Sequence, residues 1–334
     1  MKQTGFAYSG IVFLSALLMF LSSCVFNVRT DKDSKFKTSE SGISFVQSYP
    51  ISQPVNLKLS TSGGNISTIG YDGKQVEVSF LVTKNGRVLD VTLDELKKIA
   101  EVKIINDNSN LEISINKITE KNLSVGFEVK TPVNTTATLN TSGGNILISD
   151  LKANQNMNTS GGNIHINNIV GKVEAGTSGG NIVINHSIGD VNASTSGGNI
   201  SVNGLKGNIK TSTSGGNIHV GDTEGAVDVS TSGGSIHMDQ ISGSVRAYTS
   251  GGNISVNINL LTENLQMVTS GGNINCTIPK GLGLNLDLSA DNIETQLLNF
   301  SGTSEKDKIL GTMNGGGIPV SLNTLGGGIN LNFK

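Results

Sequence analysis

The chain has 334 residues, with 24 Lys and Arg against 26 Asp and Glu and only 15% charged residues. This balance supplies no basic face for a phosphate backbone, so the sequence predicts no nucleic-acid partner. Aromatic residues make up 4% and Trp is absent, which excludes extended stacking platforms for bases or sugars. With its 43 glycines the chain reaches the apolar content of an ordinary globular protein, so we expect a folded chain with an aliphatic core.

The N-terminal segment indicates export and a lipid anchor. Residues 11–21 form an apolar run that is short for a membrane span, and residues 1–23 are typical of a lipoprotein signal peptide. The run ends in Leu21-Ser22-Ser23-Cys24, which resembles the lipobox of bacterial lipoproteins. The resemblance implies acylation of Cys24, membrane attachment through that lipid, and a place in the bacterial cell envelope, at the outer membrane or cell surface. An ordinary cleaved signal or an uncleaved anchor is the alternative.

The segment after Cys24 divides into a linker and a first module. Residues 24–55 are largely polar and are predicted to connect the lipid to the folded body. Residues 56–140 are predicted to form a β-rich module, with a hairpin at Asn85-Gly86 and further strands at residues 111–115 and 123–129. Thr92 and Glu95 form a capping-box pattern that predicts one short helix over residues 93–101. We expect this module to cover the first open strand edge of the repeats that follow.

An internal repeat determines the architecture of residues 141–288. Thr-Ser-Gly-Gly begins at residues 61, 141, 159, 177, 195, 213, 231, 249 and 269, so the spacing from 141 to 249 is 18 throughout. Two glycines in every unit argue against a helical repeat. The step from 61 to 141 is longer, and the sequence leaves open whether that coil carries an insertion or the repeat array is interrupted.

Within each unit, apolar residues alternate with polar ones, which predicts strands with one buried face. Counting the Thr as position one, position six is always Ile: Ile146, Ile164, Ile182, Ile200, Ile218, Ile236, Ile254 and Ile274. Position seven varies widely, whereas position eight is again apolar. A second alternating strand follows, after a corner glycine for which we predict a positive φ: Gly171, Gly189, Gly207, Gly225 and Gly243.

Units of this kind bury their apolar stripe only by stacking, so we predict parallel coils of 18 residues with equivalent side chains above one another. The stack would be on the order of 40–55 Å long at a strand spacing of about 4.8 Å. The Asn after each glycine pair is predicted to form a structural ladder along the corner: Asn145, Asn163, Asn181, Asn199, Asn217, Asn253 and Asn273. Ser235 replaces Asn in one unit and is predicted to break the ladder. Residues 289–334 contain decayed forms of the repeat at 289–293, 315–318 and 326–329, and are predicted to be degenerate final coils.

The Thr-Ser-Gly-Gly-Asn-Ile repeats, preceded by the segment at 127–132, resemble the bacterial "putative adhesin" family of domains of unknown function. The resemblance implies an all-β fold, a single-stranded right-handed parallel β-helix, here joined to the β-rich N-terminal module with its one helix. Right-handedness is also the general expectation for parallel crossovers. No catalytic or ligand-contacting residues are implied by the resemblance.

The sequence shows no converging set of reactive groups. His165, His219 and His237 share the outward position seven, but Val183 and Ser201 interrupt the column, so solvated surface histidines are favoured over a metal site. The carboxylates fall at different positions of different coils, and Cys276 is predicted to be a buried core thiol. We therefore predict no enzyme, no cofactor and no metal. The preferred function is adhesion or another surface interaction, with a surface glycan or a protein as ligand. A carbohydrate-active β-helix enzyme and a structural or sensory envelope factor are the alternatives.

Overall fold

The computed structural model describes residues 37–334. Cys24 and the predicted signal peptide lie outside the described residues. The predicted linker over residues 24–55 is wrong in its extent, because Lys37–Thr38 and Phe45–Pro50 form strands that pair with strands of the first module. Residues 37–132 contain β1 (Lys37–Thr38), β2 (Phe45–Pro50), β3 (Val55–Thr61), β4 (Ile66–Tyr71), β5 (Gln75–Lys84), β6 (Arg87–Asp90), α1 (Leu93–Leu96), β7 (Glu101–Asp107), β8 (Asn110–Asn116) and β9 (Leu123–Pro132).

The repeats and the C-terminal segment continue the all-β structure. Residues 135–278 contain β10 (Thr135–Thr141), β11 (Ile146–Leu151), β12 (Gln155–Thr159), β13 (Ile164–Ile169), β14 (Val173–Gly176), β15 (Ile182–Ile188), β16 (Val191–Ser194), β17 (Ile200–Lys206), β18 (Ile209–Thr213), β19 (Ile218–Glu224), β20 (Val227–Thr231), β21 (Ile236–Tyr248), β22 (Ile254–Thr269) and β23 (Ile274–Ile278). They are followed by β24 (Leu284–Ser289), β25 (Asn292–Thr295), β26 (Phe300–Ser304), β27 (Lys308–Met313), β28 (Ile318–Thr324) and β29 (Gly328–Phe333).

The repeat strands pair in parallel with their equivalents in the next unit. In β11 and β13, Ile146 lies beside Ile164, and in β12 and β14, Met157 lies beside Ala175. The two strands of a unit thus belong to two separate parallel ladders, which continue through the stack as parts of one open, solenoid-like sheet. Residues at the same position of successive units are therefore in register, and their side chains stack on one another, as the repeat predicts.

The core lies between the two ladders. Every position-six Ile of the repeats is at most 1% exposed, and the position-eight residues are buried with it. Full burial of one such side chain contributes about 1.5–3 kcal/mol, so the stacked isoleucines supply much of the driving force for coiling. Cys276 occupies this core, as predicted, and burial raises the pKa of its thiol.

At the N-terminal end, the long step between the first two repeats is an insertion and not an interruption. Thr61 of β3 lies beside Thr141 of β10, so the first repeat stacks directly on the second. The inserted chain returns to add β8 and β9 in parallel on the outer side of β3 and β4. Antiparallel pairing of β5 with β9 and of β7 with β8 then covers that coil.

The local predictions in the insertion are mostly confirmed. The Asn85-Gly86 hairpin joins β5 and β6 in antiparallel pairing, and both turn residues have positive φ. The Thr92–Glu95 capping box is present. The predicted helix over residues 93–101 is too long, because α1 ends at Leu96 and β7 begins at Glu101, where pairing with β8 takes over from the helix.

At the C-terminal end, the order of coils in the stack differs from their order in the sequence. The last coil, β28 and β29, stacks directly on β22 and β23, with Thr324 beside Thr269. The earlier coil, β24 and β25, lies outside it. Gly315–Gly317 are not a repeat corner as predicted; they form the positive-φ turn that leads from β27 into β28.

Candidate functional site

The corner formed by the repeated Thr-Ser-Gly-Gly-Asn residues, here called the TSGG corner, is held by hydrogen bonds between coils. The buried Thr177 Oγ1 donates to the Gly162 carbonyl of the preceding coil at 2.9 Å and accepts from Gly180 N–H at 3.3 Å. Equivalent pairs of bonds occur at every repeat from Thr141 to Thr269. Each threonine therefore satisfies two backbone groups that a turn would leave unpaired.

The two glycines of the TSGG corner have different structural roles. A Cβ on the second glycine, Gly180, would lie 1.9 Å from the Gly162 carbonyl oxygen, so no larger residue fits there. The first glycine, Gly179, has no atom closer than 3.7 Å to such a Cβ, and its φ lies outside the left-handed region. The fold therefore has room for a side chain at the first glycine. The sequence nevertheless has glycine there, so the outer surface carries no side chain at this position.

The asparagines named above lie at the exposed edge of this corner. The Asn145 Oδ1 accepts from the Asn163 backbone N–H at 2.8 Å, and the same bond links the other members in turn. The series extends from Asn65 at one end to the Gly328 N–H at the other. The acceptor is the side-chain oxygen and the donor is the backbone, so each rung is joined to the next through one amide oxygen.

Ser235 does not break this series, contrary to the sequence-based prediction. Its N–H donates to Asn217 Oδ1 at 2.8 Å, and its own Oγ accepts from Asn253 N–H at 3.2 Å. The hydroxyl reaches the same donor as an amide oxygen does, at a longer distance.

The outer side of the TSGG corner presents uncharged polar groups. The serine after each Thr is exposed: Ser62, Ser142, Ser160, Ser178, Ser196, Ser214, Ser232, Ser250 and Ser270. Near the N-terminal end the surface deepens into an open cleft of about 250 Å³, here called the corner cleft. Its lining consists of Ser60, Thr61, Ser62, Asn116, Asn140, Thr141, Ser142, Asn158, Thr159 and Ser160.

One wall of the corner cleft was not predicted from the repeats. Asn116 ends β8, which belongs to the inserted chain and lies outside the repeat pattern. Only the stacking of β8 on β3 brings it to this edge, so no signal in the repeat would have identified it.

Ionisable groups are sparse along the coils. His219 and His237 stack with ring centroids 5.3 Å apart, whereas His165 lies between Leu147 and Val183. Burial, followed by the neighbouring His237, lowers the pKa of His219. In the part of the chain that the structure describes, no group of three or more His, Cys, Asp or Glu side chains is placed to hold a metal ion. Within the same residues no helix is both long and apolar enough to span a bilayer.

Known proteins resemble this chain over most of its length. The family model described as Toastrack DUF4097 matches residues 50–332. A putative adhesin from Parabacteroides distasonis ATCC 8503 is 14% identical, covering 87% of this chain and 98% of its own, with a TM-score of 0.41. A putative adhesin from Bacteroides fragilis NCTC 9343 is 13% identical, covering 86% and 96%, with a TM-score of 0.30. A putative cell adhesion protein from Clostridium sporogenes ATCC 15579 is 12% identical, covering 87% and 99%, with a TM-score of 0.20. No curated protein matches the chain.

Proposed function

This chain belongs to the Toastrack DUF4097 family, and from that premise we propose that it is a lipid-anchored surface protein of the bacterial envelope that adheres to other surfaces without catalysing a reaction. Its body would be a right-handed parallel β-helix of 18-residue coils. Cys24 would carry the lipid, at the outer membrane or cell surface.

The observation that carries the proposal is the uniform, uncharged polar edge of the TSGG corner. Each coil repeats one exposed Ser and one Asn or Ser that is exposed or half-buried, and successive coils are spaced by about 4.8 Å. Such a surface offers many equivalent weak contacts, and their effect accumulates when a ligand is itself repetitive. The fold does not require the first glycine of each corner. Because this residue has no side chain, a ligand can approach the backbone along this edge.

The corner cleft indicates the class of ligand that would bind best. Its ten lining residues are Ser, Thr and Asn, so hydroxyl and amide groups line it without any charge. These groups complement neutral hydroxyls, as in a glycan, better than phosphate or carboxylate. We therefore propose a surface glycan as the ligand, and a protein ligand is the other outcome of the binding test.

Two experiments test this proposal. The first compares wild type with Cys24→Ala in cells fed an alkyne-tagged fatty acid, followed by proteolysis of intact cells. We expect lipid labelling of the wild type alone and cleavage of the wild type on intact cells. Protection of the wild-type protein in intact cells, with cleavage only after lysis, would remove the adhesive role.

The second experiment presents the full chain, in detergent, to an array of glycans. We expect saturable binding without product release, and weakening by Ser142→Asp, which places a charge in the corner cleft. Ser214→Asp, in an equivalent coil away from the cleft, is the matched control and should weaken binding less, because it changes one of many equivalent contacts along the edge. Release of shortened glycan would identify an enzyme, and equal loss in both variants would remove the cleft as the binding site.

A further inference from the structure

Two outward histidines on adjacent coils form a pair that the rest of the fold does not use. His219 of β19 and His237 of β21 are in register, with rings 5.3 Å apart and inclined by 10°. Both side chains are exposed, and the flanking residues in the same register are the small Ser201 and Ser255. The two imidazoles are therefore open to an incoming ion from the solvent side.

A column of polar residues interrupted by a buried glycine lies beside this pair. Two residues further along the strands, the outward residue is Asn203, then Gly221, then Asp239 on successive coils. An alanine at Gly221 would place its Cβ 2.6 Å from Asn203 Oδ1 and 3.6 Å from His219 Nε2. Asn203 Oδ1 therefore already fills the space over the buried Gly221, on the side of this column that faces His219.

A carboxylate follows Gly221 in the same column. Asp239 is in register with Gly221, and its charge acts on His219. Asn257 Nδ2 donates to Asp239 Oδ1 at 2.7 Å and so fixes the carboxylate. Lys334 Nζ donates to Asn257 Oδ1 and Asn259 Oδ1, and so bonds to the partner of Asp239. The histidine pair therefore lies beside a carboxylate whose position is fixed by a hydrogen bond. His165 lies between Leu147 and Val183 and has no such neighbour in its column.

We propose that His219 and His237 together bind one divalent transition-metal ion of the Cu²⁺, Ni²⁺ and Zn²⁺ class, with Asp239 as a neighbouring negative charge and water in the remaining positions. Neutral imidazole is a favoured ligand of these ions, at about 2.0 Å from nitrogen to metal. The side chains are exposed, so rotation of each ring brings one nitrogen from each toward a common ion. This site is independent of the proposed adhesive role.

The test is calorimetric titration of the untagged full chain, in detergent, with CuCl₂ at pH 7.5. We expect one copper ion per chain, and nitrogen hyperfine splitting from two imidazoles in the electron paramagnetic resonance spectrum. His219→Asn and His237→Asn should each weaken binding by about tenfold or more and leave at most one coordinated imidazole. His165→Asn, which removes an unpaired histidine at the same coil position, should bind copper as the wild type does.

Three results would overturn the proposal. One is wild-type affinity in the double variant His219→Asn/His237→Asn, and another is an equal loss in His165→Asn. The third is a single-imidazole spectrum in the wild type. Since both histidines are exposed, the variants should keep the wild-type circular dichroism spectrum, and copper binding can be compared between folded proteins.

Discussion

The two corners of each coil are stabilised in different ways. At the TSGG corner, hydrogen bonds run from one coil to the next, through Thr Oγ1 and Asn Oδ1. At the second corner, between the two strands of a coil, the chain turns by means of positive φ, and side-chain bonds between coils are present at some units and not at every one, as from the Asn208 N–H to Asp190 Oδ1. Its φ values are near +50° at Asn168, His186, Asp222 and Gln240, and +126° to +155° at the glycines that follow.

This difference explains why one corner is uniform in sequence and the other is not. At the TSGG corner the Thr and Asn side chains bond to backbone groups of a neighbouring coil, so a change in one coil leaves groups in the next coil unpaired. The left-handed residues of the second corner share a positive φ and no bond that every coil repeats, since Asn168 Nδ2 donates to Asp150 Oδ1 but His186 and Gly204 have no such bond. Asn, His, Gly, Asp and Gln therefore all occur there. Four predictions test this comparison.

The largest effect should follow from Gly180→Ala. The added Cβ would lie 1.9 Å from the Gly162 carbonyl oxygen, and backbone of the neighbouring coil has to move. We expect a loss of about 3 kcal/mol or more in the free energy of unfolding. The measurement is the midpoint of urea unfolding followed by circular dichroism.

Gly179→Ala is the matched control, because its Cβ would have ordinary contacts of 3.7 Å or longer. It should change the free energy of unfolding by less than about 0.5 kcal/mol. Equal losses in the two variants would show that the two glycines do not differ as the corner geometry requires.

The next effect concerns the threonine hydroxyl. Thr177→Val leaves the Gly162 carbonyl and the Gly180 N–H without their partner, so we expect a loss of about 1–3 kcal/mol. Thr211 is also buried, but its Oγ1 has no hydrogen-bond partner, so Thr211→Val should be neutral or stabilising. The measurement is the free energy of unfolding of both variants by chemical denaturation. A larger loss in Thr211→Val than in Thr177→Val would contradict the role given to the threonine hydroxyls of the TSGG corner.

The parts of the fold that repeat were predictable, because equivalent residues of a stack lie above one another. Position six identified the buried isoleucines, and the corner glycines from Gly171 to Gly243 have the predicted positive φ. The left-handed residues near +50° were missed, since Asn168, His186 and Gln240 share no side-chain signal.

The ends could not be ordered from the sequence. Phe127 lies beside Ile66, although no TSGG repeat accompanies it, and the final coil inserts beneath an earlier one. Such contacts depend on where an inserted chain returns, which a repeat pattern does not encode. For the same reason Asn116 was not foreseen as a wall of the corner cleft.

A smaller, stabilising effect is expected at the second corner. His186 has φ +48°, and the next coil has Gly204 at the equivalent position, with φ +68°. His186→Gly relieves the left-handed strain but increases the entropy of the unfolded chain, so the net gain should be about 0.5 kcal/mol. Thermal unfolding of this variant beside His165→Gly, which lies in a strand and should lose stability, separates a turn effect from a histidine effect.

The smallest effect is expected at Ser235, where serine replaces the asparagine of the other TSGG corners. Ser235 accepts the Asn253 N–H at 3.2 Å, whereas asparagine oxygens at the other rungs accept at 2.7–2.8 Å. Ser235→Asn should shorten this bond and raise the free energy of unfolding by a few tenths of a kcal/mol, within the net value of about 0.5–1.5 kcal/mol for a hydrogen bond. Amide hydrogen exchange at Asn253 is the direct measurement, and it should slow in the variant. Faster exchange there would mean that the serine hydroxyl holds the Asn253 N–H better than an asparagine oxygen does. The recurrence of Asn at this position would then need an explanation other than the hydrogen bonds of the corner.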